Sequence, residues 1–317
     1  MAATEIAPTG SGPGAGPGNG PGTGAETAGL GSARGRIWRS LRRNPLGIAG
    51  GIMLALVVLA AVLAPVIAPY DPTEVHFEAP FQDPLTVGFL LGTDDLGRDI
   101  FSRMLFGMQA SLQVGALSVL LAVVIGTPLG LLAGYWKGFD AVISRLTDVT
   151  LAFPFLIIAV GLAAISGPSL SNAAIALGIA QIPTMIRVVR GETLRIKESD
   201  FVLGARTMDA SGLRIMAQHV LPNAASAIIV QATVIMPVAV IGEALLSFLG
   251  LGIQPPTPSL GIMLSDAQQY IFRSPTAAIF PGIAIAVICL AFNLFGDALR
   301  DALDPTSTSR SRKKNRK

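Results

Sequence analysis

Six apolar runs constrain this chain more than any other feature. They lie near residues 46–68, 111–134, 149–165, 172–186, 224–242 and 276–296. A helix rises about 1.5 Å per residue, so the uncharged run 46–68 is long enough to cross a hydrocarbon core of roughly 30 Å. The whole chain is 51% hydrophobic and only 14% charged, too apolar for a soluble domain of 317 residues. The expected fold is therefore all-α and integral to a membrane, with about six transmembrane helices. The fourth run is short and contains Pro183. Pro128, Pro154, Pro183, Pro237 and Pro281 interrupt five of the runs. Membrane helices tolerate proline where neighbours satisfy the freed backbone groups, so these residues fit kinked or broken helices around a path, or kinks made for packing.

Lysine and arginine placement sets the expected orientation. With both termini in the cytoplasm, all but Arg98, Arg103 and Arg273 of the 23 cations fall on the inside. Residues 1–33 are rich in Gly and Pro and lack periodicity, as in a disordered cytoplasmic tail. The first apolar stretch begins only near Leu46, so it reads as a retained anchor and not a cleaved signal. Between them, 34–45 reads as an interfacial amphipathic helix, its arginines set around Ile37, Trp38 and Leu41 to meet anionic lipid. The membrane domain then spans 46–305. A basic cytoplasmic tail, 306–317, is explained by topology and not by nucleic-acid binding.

Catalytic signatures are absent from the sequence. No G-x-x-x-x-G-K-[ST], G-x-S-x-G, H-E-x-x-H or C-x-x-C occurs. The single cysteine, Cys289, excludes an intrachain disulfide, and His76 and His219 lie far apart. We expect no catalytic, cofactor-binding or metal-ligating residue on this chain. Glu243 is the one acid deep in an apolar run, near the end of the fifth. It reads as a path-lining residue together with Ser247 and Phe248, or as a hydrogen-bonding residue at a helix end.

The longest charged interval between two apolar runs is 187–222. Within it Phe201, Val202, Ala205 and Met208 form one stripe of a short amphipathic helix. Asp209, Ala210, Ser211 and Gly212 read as a turn, with Ser211 placed to cap a second short helix that leads to Leu221 and Pro222. The interval resembles the coupling loop of ABC importer permeases, whose spacing is E-A-A, three residues, G, nine residues, I, one residue, L-P. Leu203, Gly204 and Ala205 stand at E-A-A, Asp209 at G, His219 at I, and Leu221-Pro222 match. Asp209 replaces a glycine, although Asp enters a left-handed turn less readily.

Further motifs narrow the resemblance. They are Asn44-Pro45-Leu46, Ala64-Pro65, Ala68-Pro69-Tyr70-Asp71-Pro72, GTDDLGRDIFSRMLFGMQASLQVG over 92–115, and SFLGLG over 247–252. In this order they resemble the C-type membrane subunit of dipeptide, oligopeptide and nickel ABC importers, and the likeness covers nearly everything outside the tails. Gly92, Thr93, Asp94, Gly97, Arg98 and Asp99 match an outer-loop signature. From the residues, this is a tight turn with an exposed charge pair between Arg98 and Asp99 or Asp94, contributing at most about 1 kcal/mol.

The resemblance implies a type I importer permease in the bacterial cytoplasmic membrane. Its implied partners are a homologous second permease, two cytoplasmic ATPases that hold ATP and Mg, and an extracytoplasmic substrate-binding protein. The ATPases would seat on Phe201, Leu203, Gly204, Ala205, Arg206, Met208, Asp209, Ala210 and Ser211, with Pro222 closing the motif. Arg206 is the expected polar contact, and Leu203 and Met208 the packing residues. The implied cargo is small peptides, with nickel chelates or another small solute as the alternative. A secondary transporter is a more distant one.

Overall fold

The computed structural model describes residues 44–303. The tails 1–33 and 306–317, and the interfacial helix 34–45 except its last two residues, lie outside the described residues. Five helices are long and apolar enough to cross a membrane, and one bent pair brings the number of spans to six. Among the described residues no strand forms, only isolated bridges at Thr86–Phe89 and Thr93–Asp99.

The first span is α1, Pro45–Val62, continued after a bend at Leu63 by α2, Ala64–Ile67. Asn44 caps α1 by accepting hydrogen bonds from the backbone N–H groups of Leu46 and Gly47, at 3.1 and 3.3 Å. Pro45 then occupies a position where its missing N–H costs nothing.

The second span differs from expectation. Helix α3, Ile100–Tyr135, has 36 residues and begins well before Ser111. Its opening turns contain Arg103, which hydropathy assigns to a loop but which is only 2% exposed and ion-paired. Pro128 lies inside without ending the helix.

The third run, expected as one span over 149–165, is instead two helices bent by 89°. These are α4, Lys137–Leu151, and α5, Phe155–Ser166. Pro154 explains the break, since it lacks an N–H and disfavours helical geometry at Phe153. At about 18 Å, α5 alone is too short to cross a bilayer. Helix α6, Leu170–Lys197, by contrast passes through Pro183 for 28 residues, capped by the Ser169 hydroxyl at the N–H of Asn172.

After α7, Asp200–Thr207, the chain enters α8, Gly212–Ile215, then a π-helical turn, Met216–Val220, and α9, Leu221–Phe248. Gly212–Phe248 forms one apolar span of 37 residues. The expected second short helix is thus the first turn of this span. Ser211 occupies its capping position, but its side chain makes no cap hydrogen bond. Helix α10, Leu260–Gln268, and the last span α11, Thr276–Leu303, complete the chain.

The core centres on the seam between α3 and α6. Gly126, Gly130 and Gly134 recur every four residues along α3 and bring it against Met185, Val189 and Thr193 of α6. A Cβ at Gly130 would lie 2.6 Å from Val189 Cβ, and one at Gly126 would lie 2.7 Å from Met185 Cβ. Lipid tails are as apolar as leucine, so close van der Waals packing of small residues, and not exclusion from water, drives such contacts.

Gly130→Leu is therefore expected to destabilise the protein by about 3 kcal/mol, as overpacking does. Gly161→Leu on α5, where nothing lies within 4 Å of the new Cβ, is expected to be nearly neutral. Thermal unfolding of the two variants in detergent checks this contrast.

Candidate functional site

The coupling-like segment is built onto the core seam. Val202, Ala205, Ile215, Met216 and Val220 are buried in one cluster with Met185, Val189 and Ile196. The stripe expected from the sequence therefore divides. Val202 and Ala205 face inward, whereas Phe201, Leu203 and Met208 are 50, 46 and 79% exposed. Exposed Gly204, Arg206 and Asp209 continue this outward side.

Two basic residues fasten the segment to the end of α3. Lys197 Nζ donates to the carbonyl of Tyr135 at 2.6 Å, satisfying an end-of-helix acceptor. Arg206 lies over the Tyr135 ring, 5.5 Å from its centroid. Expected only as an outward polar contact, Arg206 thus also braces α7 against α3 through a cation–π interaction.

Asp209 ends α7 in the left-handed region, with φ of 60°. The Ala210 N–H donates to Ala205 O at 3.2 Å, and the Asp209 N–H donates to Arg206 O at 3.0 Å. This pair of bonds is a Schellman cap, in which glycine is usual at the left-handed position. The spacing is kept by asking Asp209 to take glycine's conformation. Pro222 is exposed at the start of α9.

The opposite end carries a buried charge lock. Thr93 donates its hydroxyl to Ala79 O at 2.6 Å and accepts from the Gln82 N–H at 2.8 Å. Gly92 and Gly97 have φ of 84° and 75°, and a Cβ on them would meet the carbonyls of Gln82 and His76. Asp94 accepts from the backbone N–H of Arg98 at 2.9 Å and from Arg98 Nε at 2.6 Å. Arg103 Nε stands 3.5 Å from the same carboxylate.

Asp99, one of the two expected partners of Arg98, does not pair with it. It caps α3 instead, accepting from the N–H and hydroxyl of Ser102 at 2.8 and 2.7 Å. Nor is the pair exposed, because Arg98 and Arg103 are 9 and 2% exposed. Asp266 of α10 completes the set at 3.5 Å from Arg98 and 3.8 Å from Arg103. Burial pushes the Asp266 carboxyl above its usual range, and Arg103 and Arg98 pull it back. Arg273 covers the Phe81 ring at 4.4 Å beside this lock.

Glu243 is fully enclosed. Its carboxyl accepts from the Ser111 hydroxyl at 2.5 Å and the Ser247 hydroxyl at 2.8 Å. Ser247 Oγ in turn accepts from the Ile253 N–H at 3.1 Å, tying down the loop before α10. Within this chain Glu243 and Ser247 join α3, α9 and that loop. Phe248 alone of the three is exposed, at 37%.

The same architecture occurs in solved structures of the MetNI methionine ABC transporter in inward-facing conformations. TM-scores are 0.55 and 0.52 at 20% identity, covering 64 and 62% of this chain and 96 and 94% of the solved chains. Residues 126–308 match the family described as the binding-protein-dependent transport system inner membrane component, and 32–84 match the N-terminal transmembrane domain of oligopeptide transport permease C. The chain belongs to this family of transport permeases.

Curated relatives of the permease include the dipeptide transport system permease protein DppC of Alkalihalophilus pseudofirmus, 42% identical over 86% of this chain and 90% of the relative. The glutathione transport system permease proteins GsiD of Pectobacterium atrosepticum and Escherichia coli are 42 and 43% identical over 84% of this chain and 89% of theirs. The C-type resemblance is thereby shown, and the permease is a multi-span membrane subunit. Sequence reading missed Arg103, Asp266 and the glycines of α3. The four-residue glycine spacing is visible in the sequence, whereas nothing local pairs Asp266 with arginines of another segment.

Two outcomes follow from this geometry. Asp209→Gly should raise stability by about 1 kcal/mol, because it removes the left-handed penalty and keeps the cap. Asp94→Ala should cost about 3 kcal/mol or more by leaving buried guanidinium groups short of a partner. Denaturation midpoints of both variants in one detergent decide the signs.

Proposed function

We propose that this permease is the C-type membrane subunit of an ATP-driven importer of small peptides in a bacterial cytoplasmic membrane, forming half of the translocation path. It pairs with a homologous second permease, takes solute from an extracytoplasmic binding protein, and receives motion from two cytoplasmic ATPases. ATP and Mg belong to those ATPases, and this chain performs no catalysis. Both termini face the cytoplasm by the distribution of Lys and Arg, so the 187–222 segment lies where an ATPase reaches it.

One observation carries the coupling role. Phe201, Leu203 and Met208 are exposed around a helix whose other side, Val202 and Ala205, is buried in the α3–α6 core. A helix held this way, with apolar side chains exposed on its outward arc, suits a partner's groove, and pushing on it moves the membrane core directly. For the cargo, the dipeptide and glutathione permeases among its relatives support peptides over nickel chelates.

Arg206→Glu is expected to abolish dipeptide uptake while the protein still reaches the membrane, and Leu203→Asp to reduce ATPase copurification at least about tenfold, as loss of an interface anchor does. Wild-type uptake in Arg206→Glu would remove that residue from the contact. Uptake of labelled nickel but not dipeptide would overturn the cargo.

A further inference from the structure

The segment 187–303 contains a second polar feature that neither the coupling surface nor the charge lock uses. Helices α6 and α11 flank α9 and leave a groove of about 470 Å³ between them at their C-terminal halves. Glu192 and Arg195, paired with each other, form the α6 wall, and Arg300 stands on the α11 wall. Ser226 and Gln231 of α9 form the floor, with Val188, Val230 and Val234 around them. A side cavity of about 40 Å³ adjoins it and adds Asn293 and Asp297.

Three properties single this groove out. Gln231 lies near the middle of the apolar span Gly212–Phe248, and neither its amide nor the Ser226 hydroxyl has a hydrogen-bond partner among the described residues. A polar group at such depth is costly unless it meets water, protein or solute. The groove with its side cavity also presents cations and anions together, Arg195 and Arg300 with Glu192 and, in the side cavity, Asp297, around an amide. Finally, its volume lies within the range of small-ligand sites.

We propose that this groove is the cytoplasmic exit segment of the solute path, receiving a zwitterionic short peptide. In it Arg300 meets the peptide carboxylate, Glu192 or Asp297 meets the ammonium group, and Gln231 meets a backbone amide. The inference rests on the peptide-importer reading and adds the residues and the charge logic of release. Arg195 already occupies Glu192, so a passing ammonium group exchanges with an existing ion pair. Such competition favours the weak binding that release requires.

The single native cysteine makes the test direct. In the assembled importer carrying Cys289→Ala, Gln231→Cys should react in inside-out vesicles with a charged, membrane-impermeant methanethiosulfonate about tenfold faster than Leu56→Cys, an exposed residue of α1, because only a hydrated thiol forms the reactive thiolate. Modification should stop uptake of labelled dialanine. Unreactive Gln231→Cys, from a groove sealed by lipid or by the second permease, would overturn the proposal, as would full uptake after modification.

For the charge assignment, Arg300→Gln should lower dialanine uptake about tenfold and Arg300→Lys should restore it, as loss of one charge-assisted bond predicts. Equal uptake in both variants overturns the carboxylate contact. Absence of dialanine uptake in the Cys289→Ala parent, with the protein present in the membrane, overturns the peptide reading. Thiol accessibility then still decides whether the groove is an open path.

Discussion

The close approach of α3 and α6 is the contact on which the rest of the permease depends. Without a hydrophobic driving force between helices in lipid, two spans hold together only as well as their surfaces fit. Gly126, Gly130 and Gly134 remove side chains from one surface where Met185, Val189 and Thr193 project from the other. The same seam receives Val202, Ala205, Ile215 and Val220 from the 187–222 segment. A helix that would otherwise be a surface connector thereby becomes part of the membrane core.

The two ends of the molecule are fixed by different physics. At the α7 end, that helix is held by apolar burial, a Schellman cap and the cations Lys197 and Arg206 against the end of α3. At the other end, fixed charges do the work: Asp94, Arg98, Arg103 and Asp266 bind the 70–99 loop to α3 and α10. Between them, Glu243 and its serine partners hold α9 to α3 and to the loop leading into α10. Helix α3 takes part in all three junctions. Displacement at one end therefore has a stiff element through which to reach the other.

Much of this fold was legible in the apolar runs, because backbone satisfaction in lipid leaves helices as the solution. The early start of α3 was not, since Arg103 is charged in sequence but neutralised by Asp94 and Asp266, and the latter lies 168 residues from Arg98. Pro154 signalled an interruption, yet Pro128 and Pro183 sit in continuous helices, so proline alone does not distinguish a break from a tolerated insertion. At the candidate site, spacing singled out the 187–222 segment, but helical periodicity merged its two sides. Val202 and Phe201 are adjacent in sequence, and only packing shows which of them the core takes.

If α7 carries the proposed coupling, it and the α3–α6 seam move as one body when partner ATPases close. Spin labels at Met208 and at Leu120 of α3, both exposed, in the Cys289→Ala background of the assembled importer would measure it by double electron–electron resonance. The account predicts the same Met208–Leu120 distance with and without trapped nucleotide, while the distance from Met208 to the second permease changes. A change of about 5 Å, one helical turn, in the Met208–Leu120 distance would show α7 sliding over the core and contradict it.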